Sequence, residues 1–338
     1  MTPTRKIKKI DSALAKLAEH EVSCRLCPRE CRVNRSREEK GFCQSGSQAS
    51  VSHALLHYGE EPVLSGCRDI TEDKKGEIQR RAGSGTIFFA GCNLKCSFCQ
   101  NYQLSWLNQG QAASDGELAR MMLDLEGRGA LNINLVSPSH LLLPILRALR
   151  IAYAQGLSLP LVYNANGYEK AEIIMNLDEI IDIYLPDLKY FSAEVSGRFS
   201  GASDYFKHAG PALKEMSLQK PALILDKAGI AREGLIVRHL VLPGQTTDSF
   251  AVLEWLAAEL STHTCISLMS QFSPCYRAPA ELQRPLRPDE YQNVLTKAQE
   301  LQFENMFVQP EAFRSEEHLM PDFSLVVPFD WRGKREDS

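Results

Sequence analysis

Residues 84–101 read SGTIFFAGCNLKCSFCQN. The run Thr86-Ile-Phe-Phe-Ala90 leads straight into a loop carrying Cys92, Cys96 and Cys99. A strand has apolar residues at successive positions, not alternate ones, when both of its faces are covered. Five further runs of this kind follow, at 132–137, 159–167, 181–190, 234–244 and 265–272. Between and after them lie helical patterns at 115–129, 140–156, 168–180, 211–229, 248–260 and 287–303. Such alternation predicts an α/β fold around a parallel sheet. Each strand ends in small or polar residues: Gly91-Cys92, Ser137, Asn164, Asp187, Pro243-Gly244 and Gln271. In barrel-like parallel folds the carboxyl ends of the strands carry the chemistry.

Three thiols at a four-then-three spacing are one short of a closed tetrahedral metal site. They suit a 4Fe-4S cluster, in which three irons take cysteine and the fourth stays open to a substrate or cofactor. Zinc with a distant fourth ligand stays open as the other reading.

Upstream, CRLCPRECRVNRSREEKGFC brings Cys24, Cys27, Cys31 and Cys43 together in a short segment. Four thiols can close a site, either zinc in a structural role or a second 4Fe-4S cluster that relays electrons. Arg25, Arg29, Arg32, Arg35 and Arg37 make this head basic, suited to an acidic partner or simply solvated. The chain is expected to divide into a cysteine-rich head and connector at 1–83, an alternating α/β body at 84–310 and a tail at 311–338.

The remaining thiols, Cys67, Cys265 and Cys275, read as buried or incidental, with Cys275 the one placed to face the site. His53 and His57 have the spacing of a metal pair on a helix, but no third ligand lies near them.

With 44% hydrophobic and 24% charged residues and a net charge of −4, the 338-residue chain suits a globular protein. It suits neither a general nucleic-acid binder nor a membrane-surface protein. MTPTRKIKKI is basic but continues into an amphipathic stretch, not a secretory signal. The expected compartment is the cytoplasm, where clustered cysteines are ligands more often than disulfides.

The loop, with Phe98 before its last cysteine and QN after it, resembles the cluster-binding loop of the radical S-adenosylmethionine (SAM) superfamily. Together with NINLVSPSH, VYNANGYE, YLPDLKYF, VRHLVLPG and SLMSQFSP, it resembles the pyruvate formate-lyase activating enzyme-like, PflX-type branch. The resemblance implies a partial (β/α)6 TIM-like barrel with a 4Fe-4S cluster on Cys92, Cys96 and Cys99 and SAM on the open iron. It implies reductive cleavage of SAM to a 5'-deoxyadenosyl radical that abstracts hydrogen from a substrate. That substrate is expected to be a glycyl-radical enzyme, or else another peptide, a metabolite or RNA. Flavodoxin or ferredoxin is the expected electron donor. A non-catalytic zinc-binding interaction module is the alternative from another class.

Family members carry a GGE-like stretch after the second strand that meets the SAM amino group. VSPSH stands there instead, leaving Ser137, Ser139 or backbone carbonyls to do this. Asn164 and Asn166 at the third strand end, and Asp187 and Lys189 at the fourth, resemble positions that contact SAM. Arg238 and His239 are further cofactor or substrate candidates. Being adjacent on one strand, they point to opposite faces, so at most one faces the interior.

Overall fold

The computed structural model describes residues 2–66, 83–309 and 320–329. Cys67, most of the charged connector and most of the expected tail lie outside the described residues. The strands are β1 (Ala49–His57), β2 (Ser84–Phe89), β3 (Gln111–Ala113), β4 (Ile133–Val136), β5 (Leu161–Ala165), β6 (Ile183–Pro186), β7 (Ile224–Leu225), β8 (Ala231–Leu240), β9 (Cys265–Met269) and β10 (Met306–Val308). The α-helices are α1 (Pro3–Leu17), α2 (Pro62–Ser65), α3 (Tyr102–Ser105), α4 (Asp115–Gly127), α5 (Leu142–Ala154), α6 (Ala171–Ile174), α7 (Ala193–Ser200), α8 (Tyr205–Gln219), α9 (Thr246–Glu259) and α10 (Pro288–Glu300).

One sheet runs β10-β9-β8-β6-β5-β4-β2-β1-β3, with β7 paired to β8. The strands from β2 to β10 along this path pair in parallel. β1 and β3 extend the β2 edge antiparallel. The sheet therefore curves as an open α/β barrel and does not close. All six expected parallel strands form, and β10 adds a seventh.

The apolar strands do bury both faces. Leu161, Tyr163, Tyr184, Leu235 and Val237 pack outward against the helices. Val162, Ile183, Leu185, Ile236 and Cys265 point inward and enclose Val63 and Leu64 of α2. α2 thus plugs the barrel from inside, and it is held there by Asn132, whose Nδ2 donates to the Leu64 carbonyl at 2.8 Å.

Two local expectations change. The helix expected over 211–229 stops at Gln219, and Ile224–Leu225 pairs antiparallel with β8. Asp226 holds the turn, accepting from the backbone N–H of Ala228 and of Ile230. Such side-chain bonds favour turns over helix. His53 and His57 lie on β1, not on a helix. Four apart on a strand they still share a face, where they pack against Phe323 and Phe329. Among the described residues no helix is long and apolar enough to cross a membrane.

Candidate functional site

The three-cysteine loop springs from the carboxyl end of β2, where Gly91 turns the chain at φ +83°. A side chain does not fit here, since a Cβ on Gly91 would lie 2.5 Å from the Cys43 carbonyl oxygen. The loop is pinned by backbone bonds from Gly91 to Leu104, from Ser97 to Phe199 and from Arg277 to Ser97. Trp106 Nε1 donates to the Cys96 carbonyl at 2.9 Å. Phe98, buried against Phe199 and Phe272, closes the loop's apolar side.

Each thiol receives a donor from a different element. Asn166 Nδ2 donates to Cys92 Sγ at 3.3 Å, Ser200 Oγ to Cys96 Sγ at 3.1 Å, and Ser105 Oγ to Cys99 Sγ at 3.2 Å. Donors to sulfur favour the thiolate, the form that binds metal. Burial works the other way and pushes the Cys92 thiol up to about 12 and the Cys99 thiol up to about 11. Ser105 and Ser200 carry no motif of their own, and sequence reading missed them.

The neighbouring strand ends converge on the same loop. Asn164, Asn166, Asp187 and Lys189 share the inward parity of Val162 and Leu185. Tyr205 ties these ends together: its hydroxyl donates to the Asn166 and Asp187 carbonyls and accepts from the Lys189 N–H. Lys189 Nζ meets Asp187 Oδ2 at 2.6 Å. Burial opposes the ammonium charge, but Asp187 and the Cys96 sulfur outweigh it and raise the Lys189 pKa. An ammonium is therefore held beside the thiols.

Other candidates have prior commitments. Ser137 sits at φ +58° and its N–H donates to the Asn164 carbonyl. Ser139 Oγ donates to the Glu169 carboxylate, so a carboxyl group stands beside VSPSH after all, supplied by the loop after β5. Tyr163 donates to the other Glu169 oxygen at 3.3 Å. Burial pushes Glu169 up to about 7. The residue is visible in VYNANGYE, but its approach to Ser139 is not.

Arg238 faces the interior and is held by Glu60 and Glu61, with its Nε 2.8 Å from Glu61 Oε1. Burial works against the Glu60 charge, but Arg238 and His57 hold its pKa well below the usual carboxylate range. His239 faces the helices, with Nδ1 2.7 Å from the Leu188 carbonyl and Nε2 2.9 Å from Ser249 Oγ. It is the hydrogen-bonded histidine of sheet packing, and burial lowers its pKa to about 4. Cys265 lies in the barrel interior, and Cys275 Sγ donates to the Phe98 carbonyl at 3.2 Å.

The head folds onto the loop. Cys24, Cys27 and Cys43 are buried, and Cys31 is exposed. Arg29 Nε donates to the Asn93 carbonyl at 3.0 Å, and its guanidinium lies 4.0 Å over the Phe42 ring. Beside this contact a cavity of about 490 Å³ is lined by Lys95, Arg198, Arg277, Trp106 and Phe42 among others. Among the described residues no three His, Cys, Asp or Glu side chains sit at the spacing that holds a single ion.

The family model that matches residues 86–256 describes the radical SAM superfamily. The uncharacterized protein MJ0674 of Methanocaldococcus jannaschii is 29% identical over 289 residues, which is 82% of this chain and 74% of that protein. A second uncharacterized protein of the same organism, MJ0808, is 30% identical over 91 residues, 27% of this chain and 26% of that one. Among solved structures, SuiB of Streptococcus suis bound to S-adenosylmethionine aligns with TM-score 0.45 and 11% identity over 65% of this chain. Native anSMEcpe with bound AdoMet aligns with TM-score 0.44 and 14% identity, also over 65% of this chain. This chain spans 48% of the first structure and 61% of the second.

Proposed function

From the premise that this chain belongs to the radical SAM superfamily, we propose that it is an activating-enzyme-like oxidoreductase with a 4Fe-4S cluster on Cys92, Cys96 and Cys99. SAM and the cluster, when bound, would supply a 5'-deoxyadenosyl radical for hydrogen abstraction, and the chain's part would be to hold them against the substrate. The observation that carries the reading is the convergence of Asn166, Asp187 and Lys189, from two strand ends, on a three-thiol loop at the end of the first parallel strand.

The roles follow from the geometry. Three cysteines leave one iron of four without a protein ligand. Lys189 is held charged and suits the carboxylate of SAM, while Asp187 orients Lys189 and can accept from a hydroxyl. Asn166 and Ser200 donate to the sulfurs and stabilise their negative charge. Phe98, Phe199 and Phe272 exclude water from one side of the loop.

The substrate we propose is a polypeptide, with a glycyl-radical enzyme first. Its support is the resemblance over residues 84–310, and it is tested by the appearance of a glycyl radical when the two proteins are mixed with SAM and reductant. The test of the chemistry itself is anaerobic: reconstitute iron and sulfide, add SAM and dithionite, and quantify 5'-deoxyadenosine against Cys99→Ala. Formation in the native protein alone is expected. Equal formation in the variant defeats the assignment.

A further inference from the structure

Arg35 is out of place by ordinary accounting. It is 4% exposed, and its guanidinium forms no carboxylate pair among the described residues. Nη2 donates to Cys43 Sγ at 3.4 Å, Nη1 donates to the His140 carbonyl, and Nε has no hydrogen-bond acceptor in range among the described residues. A buried cation needs a compensating charge. The groups around it that can carry one are thiols, which are neutral as free cysteines and anionic as metal ligands.

The thiols are gathered by the backbone. The Cys24 N–H donates to Val33 and the Arg32 N–H to Cys24, closing the segment on itself. The Phe42 N–H donates to Cys31 Sγ at 3.3 Å, which brings Cys31 to the strand of chain that carries Cys43. Cys24, Cys27 and Cys43 are buried, and Cys31 alone reaches solvent.

The set also leans on the catalytic loop. The Cys43 carbonyl abuts Gly91, the residue before Cys92. Arg35 joins Cys43 to His140, whose Nε2 lies 2.9 Å from the Ala90 carbonyl. Arg29 reaches the carbonyl of Asn93, the residue after Cys92. Cys43 and Arg29 therefore touch the two flanks of Cys92, and Cys31 is open to solvent among exposed side chains of both signs, Arg32, Arg37 and Lys40 with Glu30, Glu38 and Glu39. A structural zinc ion needs four thiolates at single-ion spacing and no such polarity; an electron relay needs an outer face and an inner face.

We infer that Cys24, Cys27, Cys31 and Cys43 hold a second iron-sulfur cluster, entered by electrons at Cys31 and discharged through Cys43 to the cluster on Cys92, Cys96 and Cys99. The destination rests on the function proposed above; the head site itself does not. One electron from a small one-electron carrier of the flavodoxin or ferredoxin class converts one ferric iron of the head cluster to ferrous. The same electron passes on to the loop cluster and returns the head to its oxidised state. No bond or proton is exchanged.

The test isolates the head in the full chain. A Cys92→Ser/Cys96→Ser/Cys99→Ser variant, reconstituted anaerobically, is expected to retain about four iron and four sulfide per chain and a dithionite-dependent paramagnetic signal. Stoichiometric zinc without visible absorbance, or no metal, overturns the inference, and neither result bears on SAM chemistry. Cys31→Ala guards against a misfolded triple variant, because its side chain is the exposed one. It should lose about half the iron of the native protein and slow loop-cluster reduction by flavodoxin at least tenfold, while reduction by dithionite persists. Unchanged iron content, or unchanged reduction by flavodoxin, overturns it as well.

Discussion

Glu169→Gln is expected to stabilise the protein at pH 8 and to leave it unchanged at pH 4.5. The Glu169 carboxyl is wholly buried, touches the Ser139 and Tyr163 hydroxyls, and has no cationic partner among the described residues. Its pKa rises from 4.5 to about 7 because burial penalises the carboxylate more than the two hydroxyls favour it. The folded state therefore holds its proton across that window while the unfolded state has released it. Stability falls as pH rises from about 4.5 to about 7, then stays flat with the full penalty in place. At 1.36 kcal/mol per unit the penalty comes to about 3 kcal/mol. Gln keeps the shape and both hydrogen bonds, since each hydroxyl can donate or accept. Urea unfolding of both anaerobic proteins, followed by tryptophan fluorescence at several pH values, should show a difference that opens between pH 4.5 and 7. A pH-independent difference, or a less stable variant at pH 8, refutes the assignment of a desolvated carboxyl.

Three other perturbations follow from the same geometry. Gly91→Ala puts a methyl against the Cys43 carbonyl at a left-handed φ, and it should strip iron and sulfide from the loop while far-ultraviolet dichroism stays native; full iron content would show that the head does not press on this residue. Arg238→Met leaves Glu61 buried without its cation and Glu60 with only His57 beside it, and should cost about 3–5 kcal/mol in chemical denaturation. Adding Glu60→Gln and Glu61→Gln should recover part of that loss, and no recovery would mean that Arg238 acts by packing alone. Asp187→Ala frees Lys189 and should weaken SAM binding about 10- to 100-fold by equilibrium dialysis with iron content unchanged. Equal affinity would remove this strand end from the site.

Much of the fold could be read along the chain because it is encoded locally. Doubly apolar runs such as Thr86–Ala90 and Leu161–Ala165 have one stable environment, a sheet covered on both sides, so order and direction follow from the alternation with helices. The pattern failed where a tertiary contact overrode it. Residues 220–229 look helical, yet Asp226 turns the chain and Ile224–Leu225 takes an edge beside β8. His53 and His57 look like a helical pair, yet β1 is drawn into the sheet by the exposed edge of β2.

The loop of Cys92, Cys96 and Cys99 carried its own meaning, since three thiols at that spacing are adjacent whatever surrounds them. What surrounds them is a matter of distance along the chain. Ser200 reaches Cys96 across 104 positions and Asn166 reaches Cys92 across 74, and neither pairing leaves a periodic trace. Arg238 and His239 show the division most plainly. The sequence dictated that they face opposite ways, because successive side chains on a strand must. Which of them turned inward depended on the barrel's curvature, and what Arg238 met there depended on a segment nearly 180 residues away that carries Glu60 and Glu61 into the interior.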